Sequence, residues 1–299
     1  WMRRLEWTFA MKDFRHALRL VRRNPGFAAV VIGTLAIGIG AATAMFSVVN
    51  GVLLKPLSYG EPDRLVYGFG AFRHNDSASV SPMDFLDYRE RNDVFEAFGA
   101  MTNAPSGVTV AGPDGPERLR AAVVTAGVIT ALGVAPAIGR DFTFEEERQS
   151  GPPAVLISHR FWQQTFGGRQ DAVGEAVVVD GRPLPVVGVM PPGFRLPYGP
   201  FADIAGPVDL FLPFPFDTEE ARVRGYHFVR VVARLKPGTA LAAAQSRMDV
   251  IARQLEEAYP ETNETWRLRL LPLQEHLVGD VRHTLVVMMG AVLFLLVIP

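Results

Sequence analysis

The chain has 299 residues, of which 48% are hydrophobic and 20% are charged, and it contains no cysteine. The lack of cysteine excludes a disulfide framework, a thiol nucleophile and a cysteine-based metal site. The formal net charge is only −1, but residues 1–26 hold seven basic and two acidic side chains, so the positive charge is concentrated at the N-terminus. This length accommodates a membrane helix together with one large or two modest domains.

Residues 1–26 predict an amphipathic helix on the cytoplasmic face of a membrane, and the alternative is a simple charge cluster that sets the same orientation. Met11, Phe14, Leu18 and Val21 share one helical face, and arginines surround that face. Nucleic-acid binding is the rival interpretation of the basic cluster, but the position of the cluster directly before a hydrophobic run disfavours it. By the positive-inside rule, the N-terminus is cytoplasmic and the domain that follows is extracytoplasmic.

Residues 27–54 predict an uncleaved transmembrane helix, because they contain no Asp, Glu, Lys or Arg. A signal peptide would also begin basic and then apolar, but its apolar region is typically about 7–15 residues long. Gly and Ala are common in membrane helices in general. Here the small residues follow one face along the whole helix, so we predict that this small-residue face packs against another helix. Its members are Ala29, Gly33, Ala36, Gly40, Ala44, Ser47 and Gly51.

Residues 55–283 predict an extracytoplasmic mixed α/β domain. The segments at about 55–101 and 226–283 predict an outer α/β subdomain, and residues of about 102–225 predict a β-rich subdomain inserted into it. The strongest hairpin signal is Asp180-Gly181 between two alternating apolar runs. Other predicted strands are Arg64–Phe69, Ala154–Ile157, Val208–Leu212, His227–Leu235 and Trp266–Leu271, and predicted helices begin at Ser81, Thr125, Ser158 and Ala240, with a further capping box at Thr143 and Glu146.

Residues 284–299 form a second apolar run that predicts the start of a second transmembrane helix, cut short by the end of the chain. We therefore expect an α+β membrane protein of which this chain is a fragment. The predicted order is an N-terminal amphipathic helix, a transmembrane helix, an extracytoplasmic α/β domain and a partial second span.

The sequence contains none of the motifs that would indicate catalysis. It has no Walker A loop, no H-E-x-x-H and no G-x-S-x-G, and its six histidines lack metal-ligand spacing. His159 or His227 could serve as a general base, but a structural role is the more common one for a single histidine. We therefore expect no catalytic residue, no cofactor and no metal.

One loop, Pro191–Pro207, is rich in aromatic residues on a Pro/Gly frame. If exposed, it would suit contact with a protein partner or an amphipathic substrate. The alternative, a loop packed by its own side chains, is the more common arrangement. The residues that would make the contact are Phe194, Leu196, Tyr198 and Phe201.

Several long phrases of the sequence resemble one family of transporters. AIGIGAATAMFSVVNGVLLKPL from Ala36 is similar to the first span of MacB/FtsX-type ABC transporter permeases, most of all the acidobacterial duplicated orphan permease (ADOP) group. VTAGVITALGVAPAIGRDFTFEE from Val124, VVVDGRPLPVVGVMPPGF from Val177 and ARLKPGTALAAAQSRMDVIARQLEEAYP from Ala233 resemble the MacB-like periplasmic core domain. The likeness covers nearly everything from Met11 onward, whereas Trp1–Ala10 lie outside it.

The resemblance implies the N-terminal part of a non-catalytic permease subunit in the bacterial inner membrane. Such a subunit partners a separate cytoplasmic ABC ATPase and works as a homodimer or as paired permeases. It would contact membrane lipid and a periplasmic adaptor or substrate, but no nucleic acid. ATP hydrolysis would move the periplasmic domain by mechanotransmission, for export or efflux. The family's coupling segment between its second and third spans is not present in these residues.

Two other functions share the predicted topology. A membrane-anchored sensor would place an extracytoplasmic ligand-binding domain between two spans and continue into a signalling domain. An anchored envelope hydrolase would need a catalytic cluster that only the fold could bring together.

Overall fold

The computed structural model describes residues 25–49, 59–73, 75–112, 115–199 and 206–297. These residues divide into two compact units. One unit comprises Trp1–Lys55 with Asp280–Pro299, and the other comprises Pro56–Gly279. The predicted N-terminal amphipathic helix lies almost entirely outside the described residues.

The predicted transmembrane segment is helical over the part that the structure describes, α1 (Pro25–Val49). Within the described residues, Ala28–Ser47 is the stretch whose length and hydropathy would allow a helix to cross a membrane. Three hydroxyl groups of α1 donate to the carbonyl oxygen four residues earlier, each over 2.8 Å: Thr34 to Val30, Thr43 to Ile39, and Ser47 to Thr43. Such bonds satisfy polar groups within the helix, as an apolar surrounding requires. The predicted continuation to residue 54 lies outside the described residues.

The second unit contains an extensive β-sheet with short helices, so the predicted mixed α/β domain is confirmed. Its helices are α2 (Pro82–Arg91), α3 (Ala126–Leu132), α4 (His159–Phe166), α5 (Glu219–Arg222), α6 (Leu241–Ala258), α7 (Pro260–Asn263) and the start of α8 (Leu273–Val297). Its strands are β1 (Leu65–Phe72), β2 (Asn75–Ala78), β3 (Phe95–Thr102), β4 (Ser106–Gly112), β5 (Gly115–Val124), β6 (Ile138–Gly139), β7 (Val155–Ile157), β8 (Ala176–Val179), β9 (Arg182–Val189), β10 (Leu210–Pro213), β11 (Val229–Leu235) and β12 (Arg267–Pro272).

The strands from the two ends of this unit form an antiparallel sheet in the order β3-β11-β1-β12. Helices α2 and α6 cover one face, where Phe85, Met248 and Leu255 are buried in one hydrophobic cluster with residues of β11. Helix α3 covers the other face, through Ile129 and Leu132 among others. The sheet therefore has a hydrophobic core on each side.

The strands between these ends close into a small barrel. Their pairing order is β10-β7-β9-β8-β4-β5, and β10 also pairs with β5 in parallel, which completes a ring of six strands. Alternate residues point inward, as strand geometry requires, and they form a third hydrophobic cluster. Its members include Val108, Val110, Leu119, Ala121, Val177, Val179, Val186 and Leu210.

The barrel strands all come from the segment predicted to be an inserted subdomain, and they join the antiparallel sheet where Met101 of β3 pairs with Val124 of β5. This strand order is the one that an insertion would produce. The division into two subdomains stays a prediction, since Pro56–Gly279 groups as one compact unit.

Most local predictions agree with the structure, and one does not. Ser81 and Ser158 cap α2 and α4, accepting from the N–H groups of Asp84 at 3.3 Å and Phe161 at 3.1 Å. The Thr143 motif starts no helix, because the residues after it form a turn. The Thr143 N–H does donate to the Glu146 carboxylate at 2.8 Å, but Arg140 also binds this carboxylate at 2.6 Å and holds it in the turn.

Helix α8 continues through the second predicted span as far as Val297. The described part of α8 is not among the stretches long and apolar enough to cross a membrane. The second transmembrane helix therefore stays a prediction.

Candidate functional site

The chain enters the second unit through residues 59–64, which we call the incoming segment. This segment lies across the end of α3 and of strand β11. The Gly60 N–H donates to the Leu132 carbonyl oxygen at 3.1 Å, and the Arg64 Nε donates to the Leu235 carbonyl oxygen at 2.9 Å. Arg64 also pairs with Glu61 at 2.7 Å and with Glu96 of β3. The incoming segment is thereby bound to a helix and two strands.

Arg234 is the buried centre of this attachment, with 4% of its surface exposed. Its Nε donates to the Ala131 carbonyl oxygen at 2.9 Å, and its Nη2 donates to the Gly60 carbonyl oxygen at 2.6 Å. Its Nη1 lies 3.3 Å from the Glu61 carboxylate. A buried guanidinium is costly unless its donors are satisfied. Here all three nitrogens have partners, two of them on the incoming segment and one on α3.

Gly133 makes room for this arginine at the C-terminal end of α3. Its φ is +65°, in the left-handed region that favours glycine and commonly ends helices. A Cβ at this position would lie 2.7 Å from Arg234 Nη2. Glycine is therefore required for two separate reasons, the backbone conformation and the space that the guanidinium occupies.

The chain leaves the same unit through Leu273–Gly279, the first two turns of α8, which we call the outgoing segment. Leu273 is fully buried at 0% exposure. The His276 ring stacks on Tyr67 of β1, with centroids 3.5 Å apart and planes 7° from parallel. Aromatic contacts of this kind contribute about 0.5–1.5 kcal/mol beyond the area that they bury. The outgoing segment is thus fixed to the sheet strand that directly follows the incoming segment.

Both segments share one hydrophobic core. Tyr59 of the incoming segment and Leu273 of the outgoing segment pack in the same cluster as α3 and the inner side of β1. The incoming and outgoing segments, α3 and β11 therefore form a continuous packed body. We take this body, centred on Arg234, as the candidate functional site, because it joins both ends of the unit to one core.

The aromatic loop predicted to contact a partner belongs to this body. Leu196 is 8% exposed, and Phe194 packs edge-on against Phe211 with ring centroids 5.5 Å apart. Tyr198 is half-buried against the same core. The Tyr59 hydroxyl donates to the Arg195 carbonyl oxygen at 2.9 Å, which joins the loop to the incoming segment. Phe201 lies outside the described residues, and partner contact by this loop stays a prediction.

The small-residue face of the membrane helix is helical from Ala29 to Ser47, so these residues do share one side of α1. Within the described chain, no atom outside the helix comes within 4 Å of a Cβ built on Gly33 or Gly40. Gly51 lies outside the described residues. Packing of another helix against this face stays a prediction.

The two histidines considered as general bases, His159 and His227, pack against aromatic side chains. His159 contacts Trp162 edge-on at 5.2 Å, and His227 stacks on Trp266 at 3.9 Å. Burial lowers the pKa of His227 below its ordinary value of 6.5. Among the residues that the structure describes, no three His, Asp or Glu side chains are grouped so as to hold a metal ion.

Sequence reasoning missed Arg234 and its partners. The available signal was a pair of arginines, Arg230 and Arg234, in the otherwise apolar strand Val229–Leu235, since a charged residue in a buried strand needs a partner. The partner could not be read from the sequence, because Gly60 lies 174 positions away.

The family comparison adds to this geometry. Residues 28–251 match the family described as the MacB-like periplasmic core domain. This chain belongs to that family. The match begins in α1 and includes β1 to β11, Arg234 among them.

A curated relative of this MacB-like chain is an export protein. It is 24% identical over 298 residues to the macrolide export ATP-binding/permease protein MacB of Azoarcus sp. (strain BH72), covering 95% of this chain and 43% of that protein. The chain thus spans less than half of that relative's length. The relative's name combines an ATP-binding part and a permease part.

One solved structure supports the fold, and a second is reported beside it. A domain of a protein assigned as a permease, from Porphyromonas gingivalis, superposes with a TM-score of 0.52 at 15% identity, covering 72% of this chain and 93% of that one. The periplasmic region of MacB from Actinobacillus actinomycetemcomitans gives 0.49 at 11% identity, covering 78% and 97%. The family is that of extracytoplasmic domains of MacB/FtsX-type ABC transporter permeases, so this is a membrane protein with a domain outside the cytoplasm.

Proposed function

We propose that this MacB-like chain is the N-terminal part of a permease subunit, close to the ADOP group, that couples ATP hydrolysis to movement of its outer domain. The single observation that supports this role is the shared packing of the incoming and outgoing segments around Arg234 and Tyr67. Because both segments lead toward predicted membrane helices, a displacement of either helix would shift α3, β11 and the aromatic loop together. Packed interiors transmit displacement because they are dense and only slightly compressible.

The energy source would be an ABC ATPase on the cytoplasmic side, carried on a separate protein. These 299 residues contain no Walker A motif of their own. The N-terminus would be cytoplasmic and Pro56–Gly279 periplasmic, in agreement with the basic residues 1–26. The chain would itself be non-catalytic, a mechanical part without cofactor or metal, for export or efflux of envelope substrates.

Assembly would use the small-residue face of α1. A homodimer, or a pair of related permeases, would bring two such faces together within membrane lipid, since small side chains allow close approach of helix backbones. The second predicted span, at residues 284–299, would complete the connection to the membrane. A periplasmic adaptor or substrate would contact the outer domain, with the aromatic loop at Phe194 and Tyr198 as the candidate surface.

The decisive experiment is co-purification of the full-length protein that contains this chain with an ABC ATPase from the same organism. We expect the ATPase to remain bound through purification and to hydrolyse ATP, and we expect Arg234→Lys to lower transport more than ATP hydrolysis. Arg253→Lys, at an exposed arginine on α6, is the matched control. A full-length protein that binds no ATPase and continues into a signalling domain would instead show the membrane-anchored sensor.

A further inference from the structure

A cavity of about 370 Å³ lies between the N-terminal end of α4, the aromatic loop and the residues that precede β10. Small-molecule sites in proteins typically measure about 300–1,000 Å³. The apolar wall of this cavity is fixed by the core behind it. Met190 and Phe211 are 0% and 1% exposed, and Phe194 packs against Phe211. An apolar group could therefore enter without rearranging the wall.

One end of the cavity carries a positioned cation. Asp209, 2% exposed, binds Arg160 through both carboxylate oxygens: Arg160 Nη2 lies 2.6 Å from Oδ1 and 2.5 Å from Oδ2, and Nε lies 3.1 Å from Oδ1. This pairing fixes the plane of the guanidinium. Half of the Arg160 side chain, 49%, stays exposed, and its Nη1 makes no hydrogen bond to the described residues. One edge of an oriented donor group is therefore available to a ligand.

The charged side chains among the described lining residues are Arg160 and Arg195, and this described lining contains no acidic residue. Asp209 lies behind Arg160 and outside the lining. Ser158 adds a hydroxyl beside Arg160 and caps α4. The remaining lining is mainly apolar or aromatic. An uncharged ligand would leave the Nη1 edge of Arg160 without a charged acceptor, and a simple inorganic anion would leave the apolar wall unfilled.

We propose that this cavity binds a small amphipathic anion. Its apolar body packs against the half-buried lining residues Phe194 and Val208, and its carboxylate or phosphate pairs with Arg160. The ligand could come from water or from an anionic lipid, since both present the same chemistry. The proposal does not depend on the proposed transport function, because it concerns binding alone.

Binding can be measured with 2-naphthoate, a water-soluble fluorescent carboxylate, and the full chain in phosphatidylcholine nanodiscs. Fluorescence anisotropy, corrected with empty nanodiscs, is expected to show saturable binding of 2-naphthoate. Its uncharged analogue, 2-naphthamide, is expected to bind at least about tenfold more weakly, because it cannot form an ion pair with Arg160. Equal binding of the two compounds, or no saturable binding of 2-naphthoate, would overturn the proposal.

Substitutions locate the site. Val208→Trp fills the cavity from a half-buried lining position and is expected to weaken 2-naphthoate binding at least about tenfold. Val223→Trp, at a position that is 55% exposed and outside the lining, is the control and is expected to bind as the unsubstituted chain does. Thermal melting checks that both variants fold, and Val208→Phe replaces Val208→Trp if the latter unfolds. If the folded Val208 variant binds 2-naphthoate as tightly as the unsubstituted chain does, the ligand does not occupy this cavity.

A second arm identifies the source of the ligand. With phosphatidylglycerol in the nanodiscs, weaker apparent binding of 2-naphthoate shows that an anionic lipid competes for the cavity. Unchanged binding shows that the cavity selects an anion from water. Both results support an amphipathic anion site, and Arg160→Lys is expected to weaken binding in either case because lysine lacks the planar fork that Asp209 orients.

Discussion

Arg234, buried within strand β11, donates a hydrogen bond from Nη2 to the carbonyl oxygen of Gly60 over 2.6 Å. The two residues are 174 positions apart in the sequence. The bond ties the first residues of the outer domain to a central strand of its sheet. A pull on the incoming segment would therefore reach the centre of the domain directly.

Removing this guanidinium should weaken the domain strongly. Arg234→Met keeps most of the side-chain volume but leaves the carbonyl oxygens of Ala131 and Gly60 without their donor. We expect the free energy of unfolding to fall by about 2–4 kcal/mol, since buried polar groups that lose a partner carry a full desolvation cost. Urea unfolding of the full chain, followed by tryptophan fluorescence, measures the loss. Arg253→Met on the exposed side of α6 should change stability by less than about 0.5 kcal/mol. Equal effects of the two substitutions would contradict the role of Arg234.

Two helix-ending glycines provide a matched test of the space around Arg234. Gly133 and Gly167 end α3 and α4 with φ of +65° and +61°. A Cβ on Gly133 would approach Arg234 Nη2 to 2.7 Å, whereas a Cβ on Gly167 would have no neighbour within 4 Å. Gly167→Ala should therefore lower the free energy of unfolding by about 1 kcal/mol, from backbone strain alone. Gly133→Ala should cost distinctly more, and thermal melting of the two variants should differ by several degrees. Similar melting temperatures would show that the guanidinium moves aside freely.

Asp141 should make stability depend on pH. Burial raises its pKa from 3.8 to about 6. Between about pH 4 and pH 6, the folded chain keeps a proton that the unfolded chain has released, so stability contributed by this group falls as the pH rises. Asp141→Asn removes the buried charge and keeps an acceptor for the Phe142 N–H. We expect the variant to melt at a higher temperature than the parent chain at pH 8, with the difference disappearing near pH 4. Equal melting temperatures of Asp141→Asn and the parent chain at pH 8 would contradict this dependence.

The small-residue face of α1 should govern assembly in the membrane. Replacing Gly33, Gly40 and Ala44 together with leucine would keep the helix apolar but prevent close approach of a second helix. We expect the full-length protein to lose its dimer, measured by cross-linking in membranes, and to lose transport. Ile32, Ile37 and Ile39, exposed at other positions of α1, can be changed to leucine as a control that preserves small-residue packing. Unchanged assembly and transport of the first variant would contradict the predicted packing.

Local chemistry made the hairpin and the helix starts predictable. At the β8–β9 turn, Asp180 and Gly181 both have positive φ, +47° and +77°, as an Asp-Gly turn of this kind requires. Asp180 also accepts from the Thr109 N–H at 2.8 Å and so fixes the hairpin to β4. The second contact was not predictable, since it joins residues that are 71 positions apart. The closure of the barrel through β10 and β5 was not predictable for the same reason.

The candidate site was also predictable only in part from the sequence. The aromatic loop was recognised by composition, and its burial against Phe211 follows from its apolar side chains. The attachment of both chain segments around Arg234 depends on pairings that no local pattern specifies. Tyr67 and His276 belong to no recognisable sequence motif. Their stacking follows from the register of β1 with β12, in which Tyr67 lies opposite Leu271.

The most direct test of the central claim is a distance between the two segments in the working transporter. These 299 residues contain no cysteine. Asp63→Cys and Glu275→Cys, both at exposed positions, therefore accept spin labels once any cysteine elsewhere in the full-length protein and its ATPase has been replaced. Double electron–electron resonance of the full-length protein with its ATPase would be recorded without nucleotide and with ATP trapped. We expect the Asp63–Glu275 distance within one subunit to stay the same while the distance between the two Glu275 positions of a dimer changes. A shift or broadening of the Asp63–Glu275 distance between the two states would show that the segments move independently, and it would contradict coupling through the Arg234 body.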